Sequence, residues 1–325
     1  MKELVKIEEI IVEDQDSIVV RKPGIEDLFD RFIAYVDGAE TTVESYTKAL
    51  RQFFKWLESK NIKSPEREDV INYRNYLRDE YKAGTVHVYM VAVRLFFKWT
   101  EEEKLYPNIA DKIKGPKLDK RHKKDPLTSK QAKDVIAGID ESKLEGLRNK
   151  AMIAIAVTGG LRVIEIKRAN IEDLNEVSGQ RVLYIQGKGK DDKAEYVKIV
   201  GQVGEILDEY LKARGRYSPK DPLFASVGNR NRGGRMVERS ISRIIKNSMR
   251  DVGIDNPRIT AHSLRHTAAT INLLNGGTES ETQQLLRHDS ITTTMIYSHH
   301  LSRIKNKGEE RIADSIFLKE EDNED

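Results

Sequence analysis

At 325 residues and 37.2 kDa the chain exceeds what one ordinary hydrophobic core organises, so two domains are expected. Charged residues at 34%, a mean hydropathy of −0.60 and no apolar run near the roughly 18–20 residues that span a bilayer exclude a membrane-embedded chain, and the absence of cysteine excludes disulfide frameworks and thiolate metal sites. A net charge of +3 says little by itself about nucleic acid, so the distribution of charge has to decide.

The opening MKELVKIEEIIVEDQD sets acidic residues inside its one apolar patch. No signal peptide or membrane anchor is expected there, and a cytoplasmic setting is the default. Residues 1–22 read as an N-terminal extension, too short and too acidic for a DNA-binding domain of their own. From Met1 to Leu50 there are six basic and twelve acidic residues.

Residues 23–110 read as a helical domain. Ile25, Leu28, Phe29, Phe32, Ile33 and Val36 recur at intervals that line one helix face. Thr41 with Glu44 fits a capping box opening a second helix, with Tyr46, Leu50, Phe53, Phe54 and Leu57 inward. Ser64-Pro65 marks a third start, and a fourth helix follows Gly84-Thr85 to about Glu103. Phe53-Phe54-Lys55-Trp56 recurs as Phe96-Phe97-Lys98-Trp99, which reads as paired aromatic knobs in one core. The stretch KIKGPKLDKRHKK then holds seven basic residues and one acidic one and lacks helical periodicity. Residues 111–125 are read as a basic interdomain linker, with a solvated loop as the plainer alternative.

Residues 126–316 read as a second, mixed domain. Leu127-Thr128-Ser129 caps a helix, KAMIAIAVT forms another, and RVLYIQ and AEYVKIV read as strands joined by the turn GKGKDDK. PLFAS is a candidate third strand. VERSISRIIKNSMRDV, SLRHTAATINLLN, SETQQLLR and TTTMIYSHH return to helix. The fold class is therefore mainly α with a small antiparallel sheet. Residues 317–325 read as an acidic disordered tail.

Four stretches together supply the groups needed for phosphodiester chemistry: TGGLRVIE around Arg162, GKGK around Lys188, HSLRH with His262 and Arg265, and His288 followed by Tyr297. Charge builds on the non-bridging oxygens as phosphorus is attacked, and planar, permanently charged guanidinium groups stabilise it best. Tyr297 is a candidate nucleophile, Lys188 a candidate general acid, and His262 and His288 can carry protons or donate hydrogen bonds. Lys190 and Lys193 are rivals to Lys188. Taken singly, each feature has an ordinary reading: a packed tyrosine, a hairpin turn, a solvated arginine. GKGK does not match the phosphate-cradling loop G-x-x-x-x-G-K-[ST]. His299-His300 lacks the partners a metal site needs, so no metal and no cofactor is expected, and His266 reads as local structure.

The order Arg, Lys, His-x-x-Arg, His, Tyr resembles the tyrosine recombinases, the phage integrases and Xer-type enzymes. TGGLRVIEI is similar to the family's TGLRVSEL, and LLRHDSITTTMIYSHH to LGHSSISTTQIYTH. The resemblance covers roughly residues 24 to 300. It implies that Tyr297 attacks the scissile phosphate to form a 3′-phosphotyrosine, that Arg162, Arg265 and His288 stabilise the transition state, that His262 assists proton transfer, that Lys188 protonates the leaving 5′ oxygen, and that Glu165 orients the site. It further implies a C-shaped clamp of a core-binding and a catalytic domain around duplex DNA, a homo-tetramer on DNA recombination sites with accessory or directionality proteins as further partners, and a nucleoid-associated location. Lys112, Lys114, Lys117, Lys120, Arg121, Lys123 and Lys124 would contact phosphates. Apolar residues between Arg303 and Leu318 read as a helix that docks on a neighbouring protomer or on its own domain. The sequence departs from the family at Gly159-Gly160 and at Arg287, which stands where glycine is usual and reads as a phosphate contact or a surface charge. The implied activity is site-specific recombination, integrating or excising a mobile element or resolving DNA multimers. The alternatives are a type IB topoisomerase-like relaxation enzyme and a catalytically silent DNA-binding relative.

Overall fold

Two segments, 1–120 and 121–325, form separate compact units in the computed structural model, which describes residues 9–12, 18–21, 25–118, 124–187, 189–288, 291, 295 and 306–317. The fold is mainly α, with a small antiparallel sheet in the second unit.

The first unit opens with a hairpin absent from the sequence reading. Strands β1 (Glu9–Val12) and β2 (Ile18–Arg21) pair antiparallel, with Glu9 opposite Arg21. Both are short runs of β-branched residues, EIIV and IVVR, on either side of an acidic connection. Four helices follow: α1 (Ile25–Tyr35), α2 (Glu40–Ser59), α3 (Arg67–Glu80) and α4 (Ala83–Glu102). Their inward faces bury Phe32, Leu50, Phe53, Leu77, Met90 and Phe97 in one core.

Helix starts differ from the sequence reading in detail. Thr41 and Glu44 do not form a capping box, because α2 begins at Glu40 after Ala39 and Thr41 already lies in its first turn. Helix α3 begins beyond Ser64-Pro65, where Asp69 accepts the Glu66 backbone N–H at 2.7 Å. The repeated aromatic motif forms interlocking pairs. Phe53 meets Phe97 with ring centroids 5.9 Å apart, and Phe54 meets Phe96 at 5.3 Å, both edge to face.

The basic stretch is packed at both described ends. Ile113 is buried in the first core, and Arg94 and Arg74 donate to the carbonyls of Ile113 and Lys114. At the other end, Arg258 grips Asp125 through two bonds of 2.7 Å, and Leu127 donates its N–H to Thr267.

In the second unit Thr128 caps α5 (Ser129–Ala137) by accepting the Gln131 N–H at 3.1 Å. Helix α6 (Leu144–Thr158) is almost wholly buried from Ala151 to Val157. The short α7 (Val163–Arg168) follows the Gly159-Gly160 break. The sheet has the order β3 (Leu174–Val177), β4 (Gln180–Ile185) and β5 (Glu195–Lys198), all antiparallel.

PLFAS is not the third strand. Pro222 and Ala225 make only isolated bridges, to Asn170 and Arg235, while Leu223 and Phe224 are both buried, so the alternation of a sheet face is missing. The third strand is LNEV, turned back at Ser178 (φ 52°) and Gly179 (φ 76°), a backbone pair that suits a two-residue hairpin. Helix α8 (Gly201–Arg214), which packs Leu207, Tyr210 and Leu211 toward α6, also has no counterpart in the sequence reading. Helix α9 (Glu238–Asp251) then packs on α7 and α6, α10 (Ala261–Leu274) on α6, and α11 (Glu279–Leu286) on α10. Helix α12 (Gly308–Phe317) leaves Ile312, Ile316 and Phe317 exposed, so its described residues do not pack their apolar side on the chain's own domain. No helix among the described residues is long and apolar enough to cross a membrane.

Candidate active site

The site is built where α6 ends. Gly160 has φ +58°, and a side chain there would bring its Cβ to 2.6 Å from Leu286 Cδ2. Only glycine makes that turn at that approach. Gly159 packs tightly against Val197 of β5, with a Cβ placed there 3.1 Å from Val197 Cβ. Each glycine of the pair thus has its own steric reason.

The turn delivers Arg162 to the residue before α7. Its backbone N–H donates to Glu165 Oε2 at 2.8 Å, and its Nη1 donates to Glu165 Oε1 at 2.7 Å. The spacing of three within a helix start places the carboxylate under the arginine. Glu165 is fully buried, whereas the Arg162 side chain keeps 27% exposure, so Arg162 is fixed at its inner side and open on the other.

Arg265 comes from the second turn of α10 and is 2% exposed. Its Nη1 donates to the Gly160 carbonyl at 2.7 Å and its Nη2 to the Leu286 carbonyl. Backbone carbonyls thus fix the orientation of this guanidinium. His262, one turn earlier, is exposed and stands edge-on to the buried His266, with centroids 4.7 Å apart. His266 thus has a structural place beneath a candidate proton carrier. His288 follows α11 and is held by its backbone: its N–H donates to the Gln283 carbonyl, and its carbonyl accepts from Gln283 Nε2 at 3.0 Å.

Arg287 is neither of the two things the sequence suggested. It is not a surface charge, because its side chain is 5% exposed. Nor does its fork point outward, since it donates to the carbonyls of Leu285 (2.6 Å), Gly159 (3.0 Å) and Gly160 (3.1 Å) and to Glu165 Oε2 (3.1 Å). Burial pulls its pKa below the usual arginine value. The Glu165 carboxylate opposes that shift and the Arg162 cation adds to it. The signal for this role is positional: the residue that ends α11 must take a left-handed conformation, which explains why glycine is the expected residue.

Other sites are partly accounted for. Lys188 and Tyr297 lie outside the described residues, as do Lys120, Arg121, Lys123, His299, His300 and the tail beyond Phe317. Of the rivals to Lys188, Lys193 is tied to Asp173 Oδ2 at 2.6 Å, while Lys190 is exposed. Arg168 fixes the base of the same turn through the Gly187 carbonyl at 3.0 Å. Lys112, Lys114 and Lys117 are exposed, whereas Lys124 donates to the Pro257 carbonyl. One largely basic surface has no counterpart in the sequence reading: Lys48, Arg51 and Lys55, with Glu44 beside them, line an open groove of about 420 Å³ along α2. Their spacing is visible in the sequence, but the apolar face of the same helix carries the stronger pattern. Among the described residues no cluster of three or more His, Asp or Glu is placed to hold a metal ion.

The geometry anchors Arg162 and Arg265 on one buried scaffold at the Gly160 turn, with Arg162 keeping an open side. Residues 126–303 match the model of the phage integrase family, and residues 27–106 match that of the phage integrase N-terminal SAM-like domain. The chain belongs to the phage integrase family. As a family member it is a tyrosine recombinase in type, and its activity is strand cleavage and rejoining of that type. It is similar to the tyrosine recombinase XerD of Listeria monocytogenes serotype 4b, at 30% identity over 283 residues, covering 85% of this chain and 93% of that protein. Among solved structures it is similar in fold to the XerH site-specific recombinase bound to palindromic difH substrate, with a TM-score of 0.68 and 20% identity, covering 91% of this chain and 84% of that one. It is also similar in fold to a lambda integrase dimer bound to a COC′ core site, with a TM-score of 0.64 and 18% identity, covering 84% and 76%.

Proposed function

We propose that this recombinase acts on short duplex core sites through Tyr297. The phenol oxygen attacks the scissile phosphorus, a Tyr–O–P bond forms and the P–O5′ bond breaks. His262 takes the phenolic proton, and Lys188 gives a proton to the departing 5′ oxygen. Arg162 and Arg265 offer their guanidinium groups to the non-bridging oxygens, with His288 adding a hydrogen bond. The phosphotyrosine retains the energy of the phosphodiester, so rejoining to another strand's 5′ hydroxyl needs neither nucleotide nor metal. Lys48, Arg51 and Lys55, with Lys112, Lys114, Lys117, Lys120, Arg121, Lys123 and Lys124, contact phosphates without reading sequence. Four copies assemble on paired sites, with α12 as the exposed apolar joint between them. The role in the cell is integration and excision of a mobile element or resolution of DNA multimers.

One arrangement carries this reading: Arg162 and Arg265, far apart in sequence, are both anchored beside the Gly160 turn, one through Glu165 and the other through the Gly160 carbonyl. A library of duplexes with a randomised centre and a nick beside it tests the proposal. Wild-type protein is expected to form a detergent-stable adduct from which the site can be sequenced, and to exchange strands with a second duplex. Tyr297→Phe is expected to bind the same site and form no adduct. An adduct from the variant would remove Tyr297 from the role, and relaxation without exchange would remove recombination.

A further inference from the structure

Arg287 occupies a position that the backbone reserves for glycine, with φ 52° and ψ 54° at the end of α11. Here arginine takes that conformation with its side chain buried. Its guanidinium makes four bonds, and two of its acceptors are shared. Glu165 receives Arg287 at 3.1 Å on one oxygen and Arg162 at 2.7 Å on the other. The Gly160 carbonyl receives Arg287 at 3.1 Å and Arg265 at 2.7 Å. A continuous run of hydrogen bonds therefore joins Arg162 to Arg265 through Glu165, Arg287 and Gly160.

We propose that Arg287 is a positioning residue that holds Arg162 and Arg265 at a fixed separation for the phosphate. This rests on the recombinase reading above. Arginine suits the task because its planar fork reaches a carboxylate and several carbonyls at once, which the point charge of lysine does not. Arg287 itself is turned inward, onto the scaffold, and acts through the two acceptors it shares. Glycine leaves that separation to the backbone alone. Arg162 sits ahead of α7 and Arg265 within α10, so an unbraced turn lets them drift, and a displacement of one ångström at a reacting centre is costly.

The test uses the full chain and the duplex recovered from the library capture, with Arg287→Gly and Arg287→Lys beside wild type. Glycine keeps the left-handed backbone and removes the fork, and lysine keeps the charge and loses the bridge. Three readouts are taken: the rate of adduct formation at saturating DNA, the Kd for the duplex, and the thermal midpoint. Arg287→Gly is expected to form adduct roughly 10- to 100-fold more slowly with Kd within about twofold of wild type, and Arg287→Lys to resemble it. A glycine variant that reacts at the wild-type rate overturns the proposal. So does a rate loss matched by equal loss of affinity and fully restored by lysine, which would mean charge alone. If glycine unfolds below the assay temperature, the lysine variant decides alone: a wild-type rate of adduct formation overturns the proposal, and a slowed rate at unchanged Kd upholds it. Absence of adduct from wild type would sink the recombinase reading and this inference with it, a result distinct from a wild type that reacts and a variant that reacts equally.

Discussion

Glu165→Gln isolates the energetics of the buried scaffold. Glu165 Oε2 takes the Arg162 N–H and Arg287, and Oε1 takes the Arg162 guanidinium. Glutamine offers one acceptor oxygen and one NH₂ group, and either orientation turns the NH₂ toward a donor. The milder orientation keeps oxygen at the Oε2 place and faces NH₂ to Arg162, whose 27% exposed side chain can swing into water. That loss is worth about 1 kcal/mol or less because the pair is partly solvated. The larger loss is at Arg287, 5% exposed, which would be left as a buried cation without its carboxylate. Removing one partner of a buried ion pair costs roughly 3–5 kcal/mol, and this term sets the total. For a unit of this size each kcal/mol moves Tm by about 2–4 °C, so the second unit should melt roughly 6–20 °C earlier while the first is unchanged. Calorimetry of the full chain resolves the two transitions. A loss below about 1 kcal/mol would refute the reasoning, since it would mean that Glu165 compensates no buried charge.

Gly160→Ala places a Cβ 2.6 Å from Leu286 Cδ2 at φ +58°. It should cost about 2–4 kcal/mol, from left-handed strain and overpacking together, and lower adduct formation; a melt unchanged from wild type would show that the turn yields freely. Tyr73→Phe in the first unit removes a buried hydroxyl that has no hydrogen-bond partner among the described residues, and should stabilise that unit by about 1–3 kcal/mol in urea unfolding. Burial raises the Tyr73 pKa, so the folded state keeps its proton where the unfolded chain ionises. Its ionisation therefore costs the fold nothing below pH of about 10 and lowers stability as pH rises further, and the phenylalanine variant should lack that alkaline loss.

Much of the fold was legible because helices that bury one face must repeat their apolar residues at helical spacing, and those of α1 to α4 do so. Exact starts were not, because capping depends on which residue leaves the helix: Ala39 and Glu66 precede α2 and α3, where Thr41 and Ser64 had looked suitable. Helix α8 was masked by Gly201 and Gly204 in its first turn, which weaken the local signal until Leu207, Tyr210 and Leu211 find a core. LNEV carries too few β-formers to announce a strand and depends on β4 for its pairing. At the site, the residue types and order of Arg162, Glu165 and Arg265 were readable; the structure pairs Arg162 with Glu165 and ties Arg265 to the Gly160 carbonyl. Arg287 was not readable, since no sequence pattern shows a long side chain folding back over its own turn onto Glu165.

The paired aromatic motif of the first unit has a consequence for how such a chain can vary in length. Phe53 with Phe97 and Phe54 with Phe96 fix the rotational phase of α2 against α4. One residue inserted into α2 ahead of Phe53 rotates everything before it by about 100° relative to the rings and strips the earlier half of the helix from its groove. Insertions and deletions are thereby steered to the 60–66 connection, where Asn61 already turns at φ 55° and the backbone can absorb a change of length.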